Sequence, residues 1–437
     1  MCTRKWELQA PAGVRKRQGG QEKRRAAAYR IMRARRPFFN SAWIIAPGGH
    51  SLRRPPIVNR FLAIGILLHL YIGLRLIPEA PVAPAAGWAA CLYLIASCAL
   101  IPVGMRARRL PAGRPRQAAW AGLLALGFFS SLLVLTVLRD VVLFAAWAIA
   151  DLRGLPADDP GLRAMSALAV PVLALLLTLL GLYNARRRAR VVAVEVPIPG
   201  LPPALAGFTI AQISDVHVGP TIRRPYVEAI VAAVNALQAD IVAVTGDVVD
   251  GPVNALSSHT APLGRLAGRY GAYLVTGNHE YYSGAREWVA EFQRLGLHVL
   301  SNRHVVISHN GAKLVLAGVT DYSAGQFDPD QRSDPRGALL GAPPDAAVRV
   351  LLAHQPRTAI AAEAAGYTLQ LSGHTHGGQF LPWNFFVRLQ QPFTAGLNKL
   401  GRLWVYTSRG TGYWGPPKRV GAPSEITHIR LVPADER

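Results

Sequence analysis

"FTIAQISDVHVG", residues 208–219, is an apolar run that ends in Asp215 and His217. A short apolar run closed by a turn signal reads as a buried strand. An aspartate and a histidine just past its carboxyl end stand where open α/β sheets carry their functional residues. The same grammar recurs four times. "DIVAVTG" leads into Asp247 and Asp250 of "GDVVDG", and "AYLVTG" into Asn278 and His279 of "GNHE". "VRVLLAH" closes on His354, and "TLQLSG" leads into His374 and His376 of "GHTH". "KLVLAGV" and "LWVYTS" read as two further strands. Residues 223–238 and 284–296 have the periodicity of amphipathic helices between them. Alternating strands and helices predict an α/β domain with its chemistry at the strand ends.

Two aspartates (Asp215 and Asp247), one asparagine (Asn278) and the histidines 217, 354, 374 and 376 exceed what one tetrahedral ion can use. Oxygen and imidazole donors without thiolate suit Mn, Fe, Zn or Mg. The three cysteines are Cys2, Cys91 and Cys98, which excludes a disulfide framework or a thiolate site in the C-terminal half. Two divalent ions about 3.5–4 Å apart, sharing one carboxylate, would use the set well. Asp247, on the middle strand, is the natural bridge. His374 and His376 are one residue apart, which puts both side chains on the same side of an extended segment. Asp250 reads either as a partner that orients a ligand or as a turn or cap residue. Arg409 reads as a phosphate contact or as a surface ion pair. The remaining histidines of this half (259, 298, 304, 309 and 428) have no motif around them.

The first half of the chain has another texture. Charged residues make up 17% of the 437 residues and hydrophobic ones 51%. The net charge of +23 is concentrated early: residues 1–60 hold 15 Lys/Arg against 2 Asp/Glu, whereas residues 191–437 hold 20 against 18. Residues 1–56 read as a disordered basic arm. Four apolar stretches follow, at 57–77, 86–104, 118–138 with an extension to 150, and 164–183. Each is near the ~20 residues a helix needs to cross a bilayer. The third, interrupted by Arg139 and Asp140, reads as one long tilted helix or as a span plus an interfacial piece, with the charged pair snorkelling at the interface. His69 reads as a packed or interfacial residue. The loops alternate between arginine-rich and acidic or uncharged, which predicts four spans with both termini and the α/β domain (191–433) on the cytoplasmic side of the inner membrane.

Taken together, "SDVHVG", "GDVVDG", "GNHEYYSG", His354 and "GHTHGGQ" resemble the calcineurin-like metallophosphoesterase superfamily. "GLPPALAGFTIAQISDVHVGPT" and "SRGTGYWGPPKR" resemble its membrane-anchored bacterial branch. The resemblance covers about residues 191–433. It implies two mixed sheets packed face to face and flanked by helices. It implies a first ion held by Asp215, His217, Asp247 and His376, and a second held by Asp247, Asn278, His354 and His374. His279 would face the scissile phosphate without ligating.

The function expected is a membrane-bound phosphoesterase, in which a hydroxide bridging two divalent ions attacks a phosphate ester. Its partners are the lipid bilayer and a phosphate-ester substrate, with a lipid head group or lipid-linked phosphate the natural class. Two alternatives stand beside it: a membrane sensor or transporter with a regulatory phosphoesterase domain, and a nucleotide or nucleic-acid phosphodiesterase. The near-balanced charge of the C-terminal domain argues against a specific nucleic-acid partner.

Overall fold

Residues 56–106, 116–156 and 158–434 are described by a computed structural model. Residues 1–55 of the basic arm, and most of the arginine-rich loop after the second apolar stretch, lie outside the described residues. The chain divides into two units at Leu62, and the described part of the first is the opening of the first helix.

All four apolar stretches are helical: α1 (Pro56–Leu76), α2 (Pro84–Arg106), α3 (Arg116–Leu152) and α4 (Pro160–Arg186). Among the described residues, α2, α3 and α4 are long and apolar enough to cross a membrane. The third stretch is one uninterrupted helix of 37 residues. Arg139 does not snorkel outward. It is buried, paired with Glu79, and donates to the Ser166 hydroxyl at 2.9 Å and the Arg163 carbonyl at 3.1 Å. Asp140 accepts from Tyr71 at 2.7 Å and from Arg75 at 2.9 Å. The charges thus neutralise one another between helices, the arrangement that a low-dielectric setting demands. His69 is packed, stacked on Phe129 at 4.2 Å and within 3.2 Å of Ser97. Small residues let α2 and α3 approach: a Cβ on Gly104 would meet the Gly122 backbone at 2.8 Å.

The α/β region is two six-stranded mixed sheets. In chain order its elements are β1 (Arg190–Ile198), β2 (Thr209–Ile213), α5 (Arg224–Asn235), β3 (Ile241–Val244), α6 (Val253–Thr260), β4 (Ala272–Leu274), α7 (Asn278–Ser283), α8 (Ala285–Arg294), β5 (His298–Val299), β6 (Arg303–His309), β7 (Ala312–Gly318), β8 (Val348–Leu352), α9 (Ala359–Ala365), β9 (Leu369–Ser372), α10 (Trp383–Gln390), β10 (Gly396–Leu400), β11 (Leu403–Thr407) and β12 (Glu425–Pro433). The first sheet runs β1-β12-β2-β3-β4-β5 and the second β10-β11-β9-β8-β7-β6. All seven strands expected from the sequence are present. β1, β5, β6, β10 and β12 lacked a clean apolar run and emerge only in the sheets.

Strand alternation explains the layering. On β2, Ile210 points into the core between the sheets while Ala211 and Ile213 face the helices. The inter-sheet core gathers Ile241, Leu316, Val350, Leu371 and Tyr406, and the helices cover each outer face. One polar residue breaks this pattern usefully. Gln212 is fully buried between the sheets and donates to Thr245 Oγ1 at 2.9 Å and to the Ser372 carbonyl at 3.0 Å. It ties β2 to β9 directly beneath the loops that carry Asp215 and His374.

The loop before β12 docks on the membrane helices. The Arg419 backbone donates to the Gly181 carbonyl at 2.9 Å. Lys418 reaches between α3 and α4, donating to the Gly127 carbonyl at 2.6 Å and to the Ser131 hydroxyl. A Cβ on Gly181 would meet Lys418 Cγ at 2.5 Å, so only glycine leaves room for this lysine.

Candidate metal centre

Every candidate residue sits just past a strand end. β2 presents Asp215 and His217, β3 Asp247 and Asp250, β4 Asn278 and His279, β8 His354, and β9 His374 and His376. β2, β3 and β4 are neighbours in one sheet, and β8 and β9 are neighbours in the other. Face-to-face packing therefore brings five strand ends to one edge of the sandwich. The backbone there is held in an unfavourable conformation. Asp215, His217, Asp247, His374 and His376 have φ of 54°, 53°, 52°, 70° and 51°, in the left-handed region that non-glycine residues rarely occupy. Strain of this kind persists only where surrounding structure enforces it, and it clusters at functional sites.

The side chains form two adjoining groups. Asp215, His217 and His376 offer ligand atoms that lie within 4.8 Å of one another, and so do Asp247, His354 and His374. His217 Nε2 and His376 Nε2 face each other at 3.0 Å, and His354 Nε2 and His374 Nδ1 at 3.2 Å. Asp247 reaches both groups, with Oδ2 3.1 Å from His354 Nε2 and 3.9 Å from His217 Nε2. Asn278 Oδ1 is buried with no hydrogen-bond partner. Buried polar atoms are nearly always satisfied, so paired ring nitrogens and an amide oxygen without a protein partner fit a divalent cation as their common partner.

Hydrogen bonds set the tautomers. His217 Nδ1 lies 3.0 Å from Asp250 Oδ1, and His354 Nδ1 lies 2.8 Å from the Thr245 carbonyl. Each acceptor fixes the proton on Nδ1 and leaves the Nε2 lone pair facing the centre. Asp250 is therefore an orienting partner, not a cap. It also accepts from His279 Nδ1 at 2.5 Å. His279, Asp247 and His217 form a third close group, so geometry alone leaves His279 within reach of an ion.

The electrostatics agree. Burial raises the Asp247 carboxyl, but the charges of His354 and His279 outweigh it and hold Asp247 well below the usual carboxylate range. Burial opposes a charged His354, yet Asp247 keeps it well above the ordinary imidazole value. Burial lowers His374 and His376 well below theirs, with neighbouring positive charge from His354 and His217 respectively adding to the effect. Two neutral imidazoles beside an ionised carboxylate are a donor set for a divalent cation.

One expectation about this edge needs correction. The "GHTH" segment is not extended. β9 ends at Ser372, and His376–Gly378 form a tight turn. The backbone twist, not strand alternation, sends His374 to one group and His376 to the other. Of the two readings of Arg409, the ion pair is the one the structure shows, with Glu425 at 2.9 Å. Of the histidines without motif context, His304 bonds the Ala338 carbonyl and His309 the Tyr270 hydroxyl, remote from these groups.

Sequence reasoning passed over two residues. Glu280 is fully buried, and its carboxylate accepts from the backbone of Gly277 at 2.6 Å, Val248 at 2.8 Å, Asp247 at 2.9 Å and Val249 at 3.3 Å. Burial and the nearby Asp247 push it up to about 7. Its place in "GNHE", three residues after the glycine, has capping-box spacing, which was the available signal. Arg419 is also buried and donates to the carbonyls of Gly412 at 2.8 Å and Ala422 at 2.9 Å. Nothing local in "GPPKRV" marks it.

Glycines beside the centre are there for space. A Cβ on Gly373 would meet Ser214 Oγ at 1.9 Å and Asp215 Oδ2 at 2.2 Å. Gly373→Ala is expected to displace Asp215 and weaken metal affinity by about 10–100-fold, measured by titration calorimetry with Mn²⁺. Unchanged affinity would mean that Asp215 does not contribute to binding.

A two-sheet α/β sandwich with paired histidine–carboxylate groups at one edge defines a class, and the comparisons agree with it. Residues 208–378 match the calcineurin-like phosphoesterase family. A bovine transmembrane protein with metallophosphoesterase domain is 39% identical over 69% of this chain and 70% of its own length. Its zebrafish counterpart is 38% identical over 60% of this chain and 63% of its own. An uncharacterized metallophosphoesterase of Campylobacter jejuni is 33% identical over 62% of this chain and 70% of its own. The chain belongs to the calcineurin-like metallophosphoesterase family, and its apolar helices together with the transmembrane relatives make it a membrane protein.

Proposed function

We propose that the protein is a membrane-anchored hydrolase of phosphate esters that works with two divalent ions, chosen among Mn, Fe, Zn and Mg. The observation that carries this reading is the position of Asp247, whose carboxylate lies within reach of both ligand groups. Asp215, His217, Asp247 and His376 would hold one ion, and Asp247, Asn278, His354 and His374 the other. When bound, such a pair supplies nucleophilic hydroxide at neutral pH and neutralises the phosphate oxygens.

The chain's own residues do the rest. Asp250 fixes the ring planes of His217 and His279 at once. With Nδ1–H given to Asp250, His279 holds its second proton at Nε2 for the departing ester oxygen. His279 would give that proton to the leaving oxygen as the ester P–O bond breaks. Trp414 packs edge-on against the His279 ring at 6.1 Å and helps to hold its plane.

In this reading α1–α4 form a four-span anchor, and the catalytic region from 191 to 433 lies on the cytoplasmic side, the side to which the arginine-rich loops of the apolar helices belong. Confinement at a membrane makes a lipid head group or lipid-linked phosphate the substrate class. The test is metal-dependent hydrolysis of bis(p-nitrophenyl) phosphate by the full chain. His279→Ala should lower kcat by about 10²–10⁴-fold while metal content stays constant. Loss of an ion together with the activity would make His279 a ligand instead. An inert, metal-replete wild type would end the phosphoesterase reading.

A further inference from the structure

The "FLPWNFFVRLQ" segment that follows the histidine pair is not absorbed by the centre. It forms α10, an eight-residue helix with no buried residue. Leu381, Trp383, Phe385, Phe386 and Leu389 are 46%, 41%, 62%, 49% and 56% exposed. A helix this short is not stable by itself in water, and its only extensive apolar face points away from the protein.

Its depth relative to the membrane helices identifies what covers that face. The Leu381 carbonyl, two residues before α10, accepts from Ser130 in α3 at 3.1 Å. The adjoining Phe380 ring lies 5.6 Å from Lys418 Nζ, itself lodged between Gly127, Ser131 and Thr178. These anchors are not at the helix ends. Arg186, closing α4, lies over Trp120 at 5.5 Å, and Gly104, near the end of α2, contacts Gly122. From Gly122 to Ser130 is about 12 Å along an α-helix. On neighbouring helices apolar side chains stay exposed across that interval: Ile64 and Leu67 precede His69, which stacks on Phe129, and Val103 adjoins Gly104. That apolar surface requires lipid, so Leu381 sits on the hydrocarbon side of the plane through Arg106 and Arg186. Charge points the same way. α10 itself carries Arg388 and no Asp or Glu, the balance that suits an anionic leaflet surface.

We infer that α10 is inserted in the same leaflet that surrounds the adjoining ends of α1–α4, and that its aromatic face holds the acyl chains of a lipid whose phosphate reaches His279. The route is short. The Trp383 ring lies 6.5 Å from Trp414, which is 6.1 Å from His279. Insertion stands by itself; the delivery of a lipid phosphate rests on the phosphoesterase reading.

Two measurements test the two parts separately. The full chain, with its three cysteines replaced by serine, takes a nitroxide at Phe386→Cys or Leu389→Cys and is reconstituted into phosphatidylethanolamine–phosphatidylglycerol vesicles. Both labels should collide with oxygen and be shielded from a water-soluble nickel chelate. Access to nickel, or shielding from both reagents as under a protein partner, overturns insertion. For delivery, hexadecyl p-nitrophenyl phosphate carried in those vesicles is compared with methyl p-nitrophenyl phosphate in water, which has the same scissile bond. Phe385→Ser/Phe386→Ser should slow the vesicle-borne ester at least about tenfold and leave the soluble one unchanged. Equal loss on both marks the helix as packing, and no loss on either removes its role. A wild type that hydrolyses neither ester, with the nitroxides still shielded, refutes the phosphoesterase reading and leaves insertion intact.

Discussion

Asp247→Asn should abolish hydrolysis, by at least about 10³-fold in kcat, and should lower metal content in the same preparation. The reason is its shared position. Asp247 Oδ2 lies 3.1 Å from His354 and 3.9 Å from His217, while Oδ1 accepts the His279 backbone N–H at 2.8 Å. An amide of equal size removes the charge that both ligand groups need and that raises His354 above the ordinary imidazole value. Elemental analysis beside steady-state kinetics separates the possibilities. Full activity in a metal-stripped Asp247→Asn protein would overturn the dinuclear reading outright. Retained metal with lost turnover would confine Asp247 to the chemical step.

The second large effect concerns stability. Glu280→Ala should destabilise the α/β region by about 4 kcal/mol or more, because four backbone N–H groups lose their acceptor and each buried orphan costs about 1–3 kcal/mol. The clamp joins the loop after β3 to the start of α7, so its loss should also loosen Asp247 and Asn278. Glu280→Gln retains one acceptor oxygen and should fall between the two. Thermal unfolding of the detergent-solubilised protein, followed by near-UV circular dichroism, would show the order. Equal transition temperatures for the wild type and Glu280→Ala would rule out the clamp.

The sequence was most informative where chemistry and backbone share a residue. Asp215, His217, Asp247, Asn278, His354, His374 and His376 were all legible because each follows an apolar strand within a few residues, and a glycine marks most of the turns. Strand ends are local features, so seven of the strands and both amphipathic helices could be read without knowing their neighbours. The four apolar helices were legible for the same reason, since length and hydropathy are properties of a segment.

What the sequence left open depended on partners far along the chain. The flanking strands β1 and β12, with buried and exposed residues interleaved, owe their existence to pairing with each other and with β2. Glu280 looks like an ordinary helix-start glutamate until four N–H groups from two loops converge on it. Arg139 looks interfacial until Glu79 and Ser166 enclose it. The histidine pair was read as two ligands on one extended face. The left-handed turn at His374 and His376 divides them between two groups instead. Periodicity cannot predict such a turn, because tertiary contacts hold the strained backbone in place. The aromatic helix that follows is the clearest case. Its composition fits core, loop or membrane equally, and only tertiary contacts place it beside α3, through the Ser130 hydroxyl on the Leu381 carbonyl and Phe380 beside Lys418, because burial is measured against surroundings that a linear sequence does not contain.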